Sequence, residues 1–195
     1  FTSLDSIRYN INRKQKNLKF FEFDKAYSLE EKEYKESSKI GIYITGLKQE
    51  EHFVNKPENV SFFDVINITN KVLNIARISD FETKPKADSK TLDMCVEIIS
   101  NGVVLGEVGM VKKEILKTFE ISQDVYHAEI DWPNLIMNFD KEFKFSEIPK
   151  FPQVQRDLSL VMNKDVKYND VISVIDLNKN KILKKVSLYD IYEGD

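Results

Sequence analysis

One cysteine, one tryptophan and two histidines stand among 195 residues. A lone Cys95 closes no internal disulfide. Set between Met94 and Val96, it reads as a packing residue in a reducing cytoplasm rather than a nucleophile. His52 and His127 lie far apart, and neither has a second His or Cys at ligand spacing, so the sequence offers no metal site. His127, among Tyr126, Ala128 and Ile130, reads instead as a satisfied sheet histidine. No apolar run approaches the ~20 residues of a membrane span, and Phe1 to Lys25 is too charged for a secretory leader. There is no Gly-x-Ser-x-Gly elbow and no phosphate-binding P-loop. The one close glycine pair, Gly106 and Gly109, falls inside a strand pattern, where close backbone packing or a bulge is the expected use. Nor is there an excess of positive charge. Lys and Arg total 29 against 32 Asp and Glu, a net charge of −3, which opposes an electrostatic grip on nucleic acid by the chain as a whole.

What remains is an ordinary globular composition, 42% hydrophobic and 11% aromatic, sufficient for one sizeable core and a small second domain. Charge is uneven. Arg8, Arg13, Lys14, Lys16 and Lys19 make a basic opening, Glu30 to Glu36 is mostly acidic, and Lys179, Lys181, Lys184 and Lys185 cluster near the end; each run reads first as a solvated face. Spacing predicts a helix over Leu4–Lys16 with Ser3 as its cap, then an aromatic strand over Leu18–Tyr27 buried on both faces. After the acidic loop comes an antiparallel neighbour over Lys39–Leu47. A helix over Phe62–Arg77 begins at a capping-box-like Ser61-Phe62-Phe63-Asp64. Strands over Leu92–Ile99 and Val103–Val111 flank Asn101-Gly102, the strongest short hairpin signal. A short helix over Lys112–Phe119 and a strand over Val125–Ile130 follow. Asp131-Trp132-Pro133 looks like a capped helix start. Lys84-Pro85-Lys86 reads only as a break.

Pro149 to Val161 reads as a domain boundary. Two prolines set an extended connector, and alternation from Val154 to Val161 announces a fresh strand. A helix over Asn169–Leu177 and a strand over Leu183–Tyr192 complete a β-α-β run. The expected fold class is α+β: a largely antiparallel first domain over 1–145, and over 146–195 the first half of a ferredoxin-like split βαβ unit. The opening Phe1, and the stop at Asp195 just after an apolar run, suggest an excised fragment.

Four blocks then become recognisable: Phe20-Phe21-Glu22-Phe23-Asp24-Lys25-Ala26-Tyr27, Phe62-Phe63-Asp64-Val65, the run Phe151-Pro152-x-Val154-x-Arg156-Asp157-Leu158-x-Leu160-Val161, and Asp190-Ile191-Tyr192-x-Gly194. In order and spacing the chain resembles the C-terminal part of the bacterial phenylalanyl-tRNA synthetase β-subunit family. Asp24 stands where that family usually has Gly, and Lys86–Lys90 does not reproduce its His-Pro-Gly-Arg run. The resemblance implies a class II synthetase-like sheet with flanking helices that has lost its catalytic residues, since adenylate chemistry needs arginines on the phosphates and the aromatic strand offers Phe21 and Phe23 there. It implies a non-catalytic scaffold for the α subunit, within an (αβ)2 assembly holding a second β subunit. That assembly carries out ATP-dependent charging of tRNA(Phe), in the cytoplasm and with no membrane role. ATP and magnesium would be bound elsewhere, so no catalytic, cofactor or metal residue is expected here.

The second domain resembles the ferredoxin-fold anticodon-binding domain. Its tRNA-binding candidates are Arg156, Lys164, Lys167, Lys179, Lys181, Lys184 and Lys185, because phosphate contacts need Lys or Arg; an ion pair with a carboxylate is the alternative for Arg156. Lacking its second half, the Arg156–Asp195 segment is expected to be poorly packed, or to borrow a neighbour's surface. A free-standing RNA-binding or assembly module and an autonomous class II ligase are the competing readings.

Overall fold

Alternating apolar residues build the sheet, and helix-spaced ones cover it. The computed structural model describes residues 2–30, 32–50, 52–53, 56–139, 145, 150–177 and 182–192. The chain divides into two units, Phe1–Phe145 and Ser146–Asp195. The first contains α1 (Thr2–Ile11), β1 (Leu18–Glu30), β2 (Glu33–Thr45), α2 (Phe62–Ile75), β3 (Glu82–Pro85), β4 (Leu92–Ser100), β5 (Val103–Val111), α3 (Lys113–Thr118), β6 (Val125–Asp131) and α4 (Trp132–Met137). The strands form one antiparallel sheet in the order β1-β2-β6-β5-β4-β3.

Each face has its own apolar cluster. On one, α2 and α4 bury Val65, Leu73 and Leu135 against Ile42, Ile44, Ile98, Val108, Ala128 and Ile130. On the other, α1 and α3 bring Leu4, Ile7 and Leu116 against Leu18, Leu92, Cys95, Val111 and Val125. The second cluster covers only one end of its face, because α3 has 6 residues and α1 has 10. Cys95 is buried there, and burial, followed by the neighbouring Glu107, pushes its thiol above the usual range, as a packing residue requires.

Several expectations hold. Asn101 and Gly102, at φ 51° and 76°, turn β4 into β5. The Ser61 N–H and hydroxyl donate to Asp64 Oδ2 at 2.7 and 2.6 Å, closing one arm of the capping box on α2. The Asp131 carboxylate accepts from the Asn134 N–H at 2.9 Å and caps α4.

Others are corrected. α1 stops at Ile11, not near Lys16, because Lys14 turns left-handed (φ 69°) and the Lys14 and Gln15 amides donate back to Ile11 and Asn10. Ser3 lies inside the helix, buried, and does not cap it. β1 is not buried on both faces: it borders the sheet, pairs only with β2 among the described residues, and leaves Phe21 80% exposed. β2 starts at Glu33, inside the expected acidic loop, since cross-strand pairs such as Lys25–Glu36 (2.6 Å) offset the charge there. The unforeseen β3 ends on Pro85, which an edge strand tolerates.

In the second unit α5 (Tyr168–Leu177) forms as expected. The two strands of the expected β-α-β unit do not: residues 154–161 and 183–192 are outside any ladder, and Leu158, Val161 and Ile191 are exposed. A strand is held by cross-strand partners, and neither segment has one among the described residues.

Candidate functional site

The part of the sheet left open beyond α1 and α3 is a polar surface. Strand register lines up Glu22, Gly41, Glu129, Glu107 and Glu97 in one transverse row. Carboxylates directly opposite one another repel. Lys86 answers this by reaching from beyond β3 to Glu107 Oε2 at 2.9 Å and Glu97 Oε1 at 3.1 Å. Lys39 reaches Asp131 Oδ2 at 3.0 Å and Glu129 Oε1 at 3.4 Å. Hydrogen bonds to Glu107 and then Glu97 raise the Lys86 ammonium above its ordinary range, so it stays charged throughout the physiological range. Lys84, opposite Glu97 and paired with Glu82, and Asp24, opposite Lys39, extend the same face, on which carboxylates outnumber ammonium groups and the balance stays negative.

One row inward, Phe20, Tyr43, His127 and Gly109 stand side by side. The Tyr43 and His127 rings stack at 4.2 Å. The Ile42 carbonyl can only accept, so His127 Nδ1, 3.1 Å away, carries the proton. Burial outweighs the nearby carboxylates and lowers the His127 pKa, so the ring is neutral at physiological pH. Burial also raises Tyr43 to about 12. Neither ring is poised for acid–base work near neutrality. The sheet-histidine reading of His127 holds, and its partner is a backbone carbonyl.

The glycine pair serves backbone approach. A Cβ on Gly109 would meet the Asp93 carbonyl oxygen and Leu92 Cβ at 2.9 Å, where β4 bulges around Met94 (φ 51°). A Cβ on Gly106 would fall on the Glu129 carbonyl oxygen. The expectation for Phe21 and Phe23 needs correction. They lie on the α4 side of β1, where Phe23 meets Trp132 edge-on at 5.1 Å. On the open side β1 presents Phe20 and Glu22 instead.

This donor set does not suit a nucleotide. A triphosphate or an acyl-adenylate needs cations where its charge sits, and Lys39 and Lys86 are each already shared between two carboxylates. Arg8, Arg13, Arg77 and Arg156 are the chain's arginines, and none lies on β1, β2, β4, β5 or β6.

Asp131 joins this face to the helix side. Burial favours its neutral form, but the Asn134 N–H, Lys39 and Ser37 outweigh burial and hold the carboxyl below its ordinary range. A depressed folded-state pKa stabilises the fold above the unfolded-state value near 4, and that stability is lost as pH falls through the folded value. Asp131→Asn is expected to cost about 1 kcal/mol at pH 7 and to flatten the acid limb of stability against pH. Urea titrations between pH 3 and pH 7 check this; an unchanged acid limb would remove Asp131 from the account.

The tRNA-binding candidates lie in the second unit. Arg156 sits exposed outside any helix or strand, and Lys164 in a turn. The Lys167 N–H donates to Asp170 Oδ2 at 3.1 Å, at the start of α5. Lys184 and Lys185 border a shallow groove with Tyr168, Asn169, Ile172 and Asp176. Lys179 and Lys181 lie outside the described residues. The Lys39 and Lys86 clamps went unanticipated, because they depend on cross-strand register.

Known proteins can be set beside this geometry. The family profile described as phenylalanyl tRNA synthetase beta chain CLM domain matches residues 1–132, and that of the ferredoxin-fold anticodon binding domain matches residues 149–195. The phenylalanine–tRNA ligase beta subunits of Bacteroides thetaiotaomicron and Bacteroides fragilis are 31% identical over 208 and 216 residues, covering 100% of this chain and 25% of each relative. That of Bacillus subtilis is 29% identical over 196 residues, covering 98% and 24%. The chain thus spans about a quarter of these relatives' length. Among solved structures, pyrrolysyl-tRNA synthetase from Desulfitobacterium hafniense superposes on 70% of this chain and 46% of its own, with a TM-score of 0.53 at 16% identity; that likeness concerns the fold alone.

Proposed function

The chain belongs to the phenylalanyl-tRNA synthetase β-chain family, and from that premise we propose that it is a non-catalytic part of a phenylalanine–tRNA ligase. Its first unit is a class II catalytic module turned scaffold. The helices and sheet are kept, and the face left open beyond α1 and α3 carries carboxylates bridged by lysines. That face is the observation on which the reading rests. Its docking partner is the α subunit, which performs ATP-dependent phenylalanylation of tRNA(Phe) with magnesium, within an (αβ)2 assembly in the cytoplasm. This chain itself holds neither nucleotide nor metal. Its second unit is part of an anticodon-binding domain, and Arg156, Lys164, Lys167, Lys179, Lys181, Lys184 and Lys185 are its candidate phosphate contacts.

The test is paired. Purified chain titrated with ATP and with a non-hydrolysable phenylalanyl-adenylate is expected to show no saturable binding up to millimolar concentration. Co-expressed with the α subunit from the same source, it is expected to co-purify at a fixed ratio. Micromolar nucleotide binding would make it an autonomous ligase. Failure to associate with the α subunit would leave only a free-standing module.

A further inference from the structure

We infer that the turn between α1 and β1 is a contact site for RNA backbone phosphate, separate from the second unit. The inference rests on the reading above that the chain serves a tRNA ligase. From Ser6 to Phe21 the sequence carries Arg8, Arg13, Lys14, Lys16 and Lys19 and no carboxylate. Net charge concealed this patch, because the acidic residues lie elsewhere.

Arg8 is paired with Asp5 at 2.9 Å, and the Lys19 ammonium donates to the Lys48 carbonyl at 2.9 Å. Lys25, Lys39, Lys48, Lys84 and Lys86 each sit in an ion pair. Arg13, Lys14, Lys16 and Lys19 have none among the described residues, and all four are exposed. An unpaired surface cation keeps its charge available to a ligand anion.

The turn is also built rather than loose. The Lys16 carbonyl accepts from Gln123 Nε2 at 2.8 Å, and Asn17 Oδ1 accepts from the Leu47 N–H at 2.8 Å. Gly46, at φ 84°, lets the next strand's end pass close against the Lys16 carbonyl. Arg13 lies 3.4 Å over the Tyr9 ring and donates to the Tyr9 carbonyl at 3.2 Å. That stack holds the guanidinium flat beside an exposed aromatic surface, the pairing that single-stranded RNA uses for phosphate and base.

Lys14 takes the helix-ending conformation that Arg77 and Glu120 take after α2 and α3. It closes α1 in the left-handed region at φ 69°, where glycine is the relaxed choice. An acidic protein partner fits less well, since hot spots of such interfaces are apolar anchors and the turn itself, residues 12–17, carries none.

The experiment titrates the chain with a tRNA(Phe) transcript at several salt concentrations. The triple variant Arg13→Gln, Lys14→Gln, Lys16→Gln is compared with Arg156→Gln, Lys184→Gln, Lys185→Gln in the second unit. The first triple is expected to lose about tenfold or more in affinity and to flatten the log K against log salt slope by about 2–3. An unchanged slope in the first triple, with loss in the second, overturns this site and leaves the tRNA reading standing. Absence of tRNA binding by the wild-type chain overturns both. Retained tRNA binding with lost binding to polyglutamate or to anionic phosphatidylserine vesicles also overturns it. Lys14→Gly separates charge from fold: Tm is expected to rise by about 2–4 °C while RNA affinity falls several-fold. Wild-type affinity in Lys14→Gly removes Lys14 from the site.

Discussion

Gly106→Ala is expected to unfold the first unit, or to destabilise it by more than about 3 kcal/mol. The added methyl would land on the Glu129 carbonyl oxygen and within 3.0 Å of Ile130 Cα. Both obstacles are backbone, so no rotamer change relieves them. Both also belong to β6, which is paired on each side, by β2 and by β5. Moving it would break two ladders together. Gly102 is the control: its φ of 76° disfavours alanine, but a Cβ there meets nothing within 4 Å. Gly102→Ala is therefore expected to cost only about 1 kcal/mol. Denaturant midpoints of the two variants decide the matter. Equal midpoints would mean that β5 and β6 do not approach as closely as described.

Leu73→Ala should be nearly as damaging, about 3–4 kcal/mol. Leu73 is fully buried on α2, in the cluster with Ile44, Val65, Ile98 and Ile130. The tightly paired strands beneath have little freedom to close the resulting void. Phe63, on the same helix, is 78% exposed, and Phe63→Ala is expected to shift stability by less than about 0.5 kcal/mol. A Leu73→Ala midpoint close to that of Phe63→Ala would show that α2 does not anchor the sheet.

Sequence patterns disclosed what depends on neighbours along the chain. The Asn101-Gly102 turn, the Asp131 cap and the α2 stripe are local, and each stands where the pattern put it. What depends on pairing was less legible. A two-residue turn with continuous pairing would set Glu97 opposite Gly106. The irregularity at Ile98 and Ile99 shifts the register and brings Glu97 opposite Glu107, and the Lys86 clamp exists only in that register. The parity of β1 was readable, yet its edge position was not, so Phe21 and Phe23 were assigned to the wrong environment. In the second unit, alternation in 154–161 marks a segment suited to a sheet; alternation cannot supply the neighbour that a sheet requires.

The border position of β1 has a practical consequence. Thirteen residues present one free side of main-chain donors and acceptors, and Phe21, Tyr27 and Leu29 stand exposed beside it. Charged side chains at Lys19, Glu22, Asp24 and Lys25 are its guard against edge-to-edge pairing of copies. Screening those charges with salt, or neutralising them by substitution, turns the margin into a seed for aggregation. Keeping the protein dispersed at high concentration is thus a colloidal problem that one strand sets.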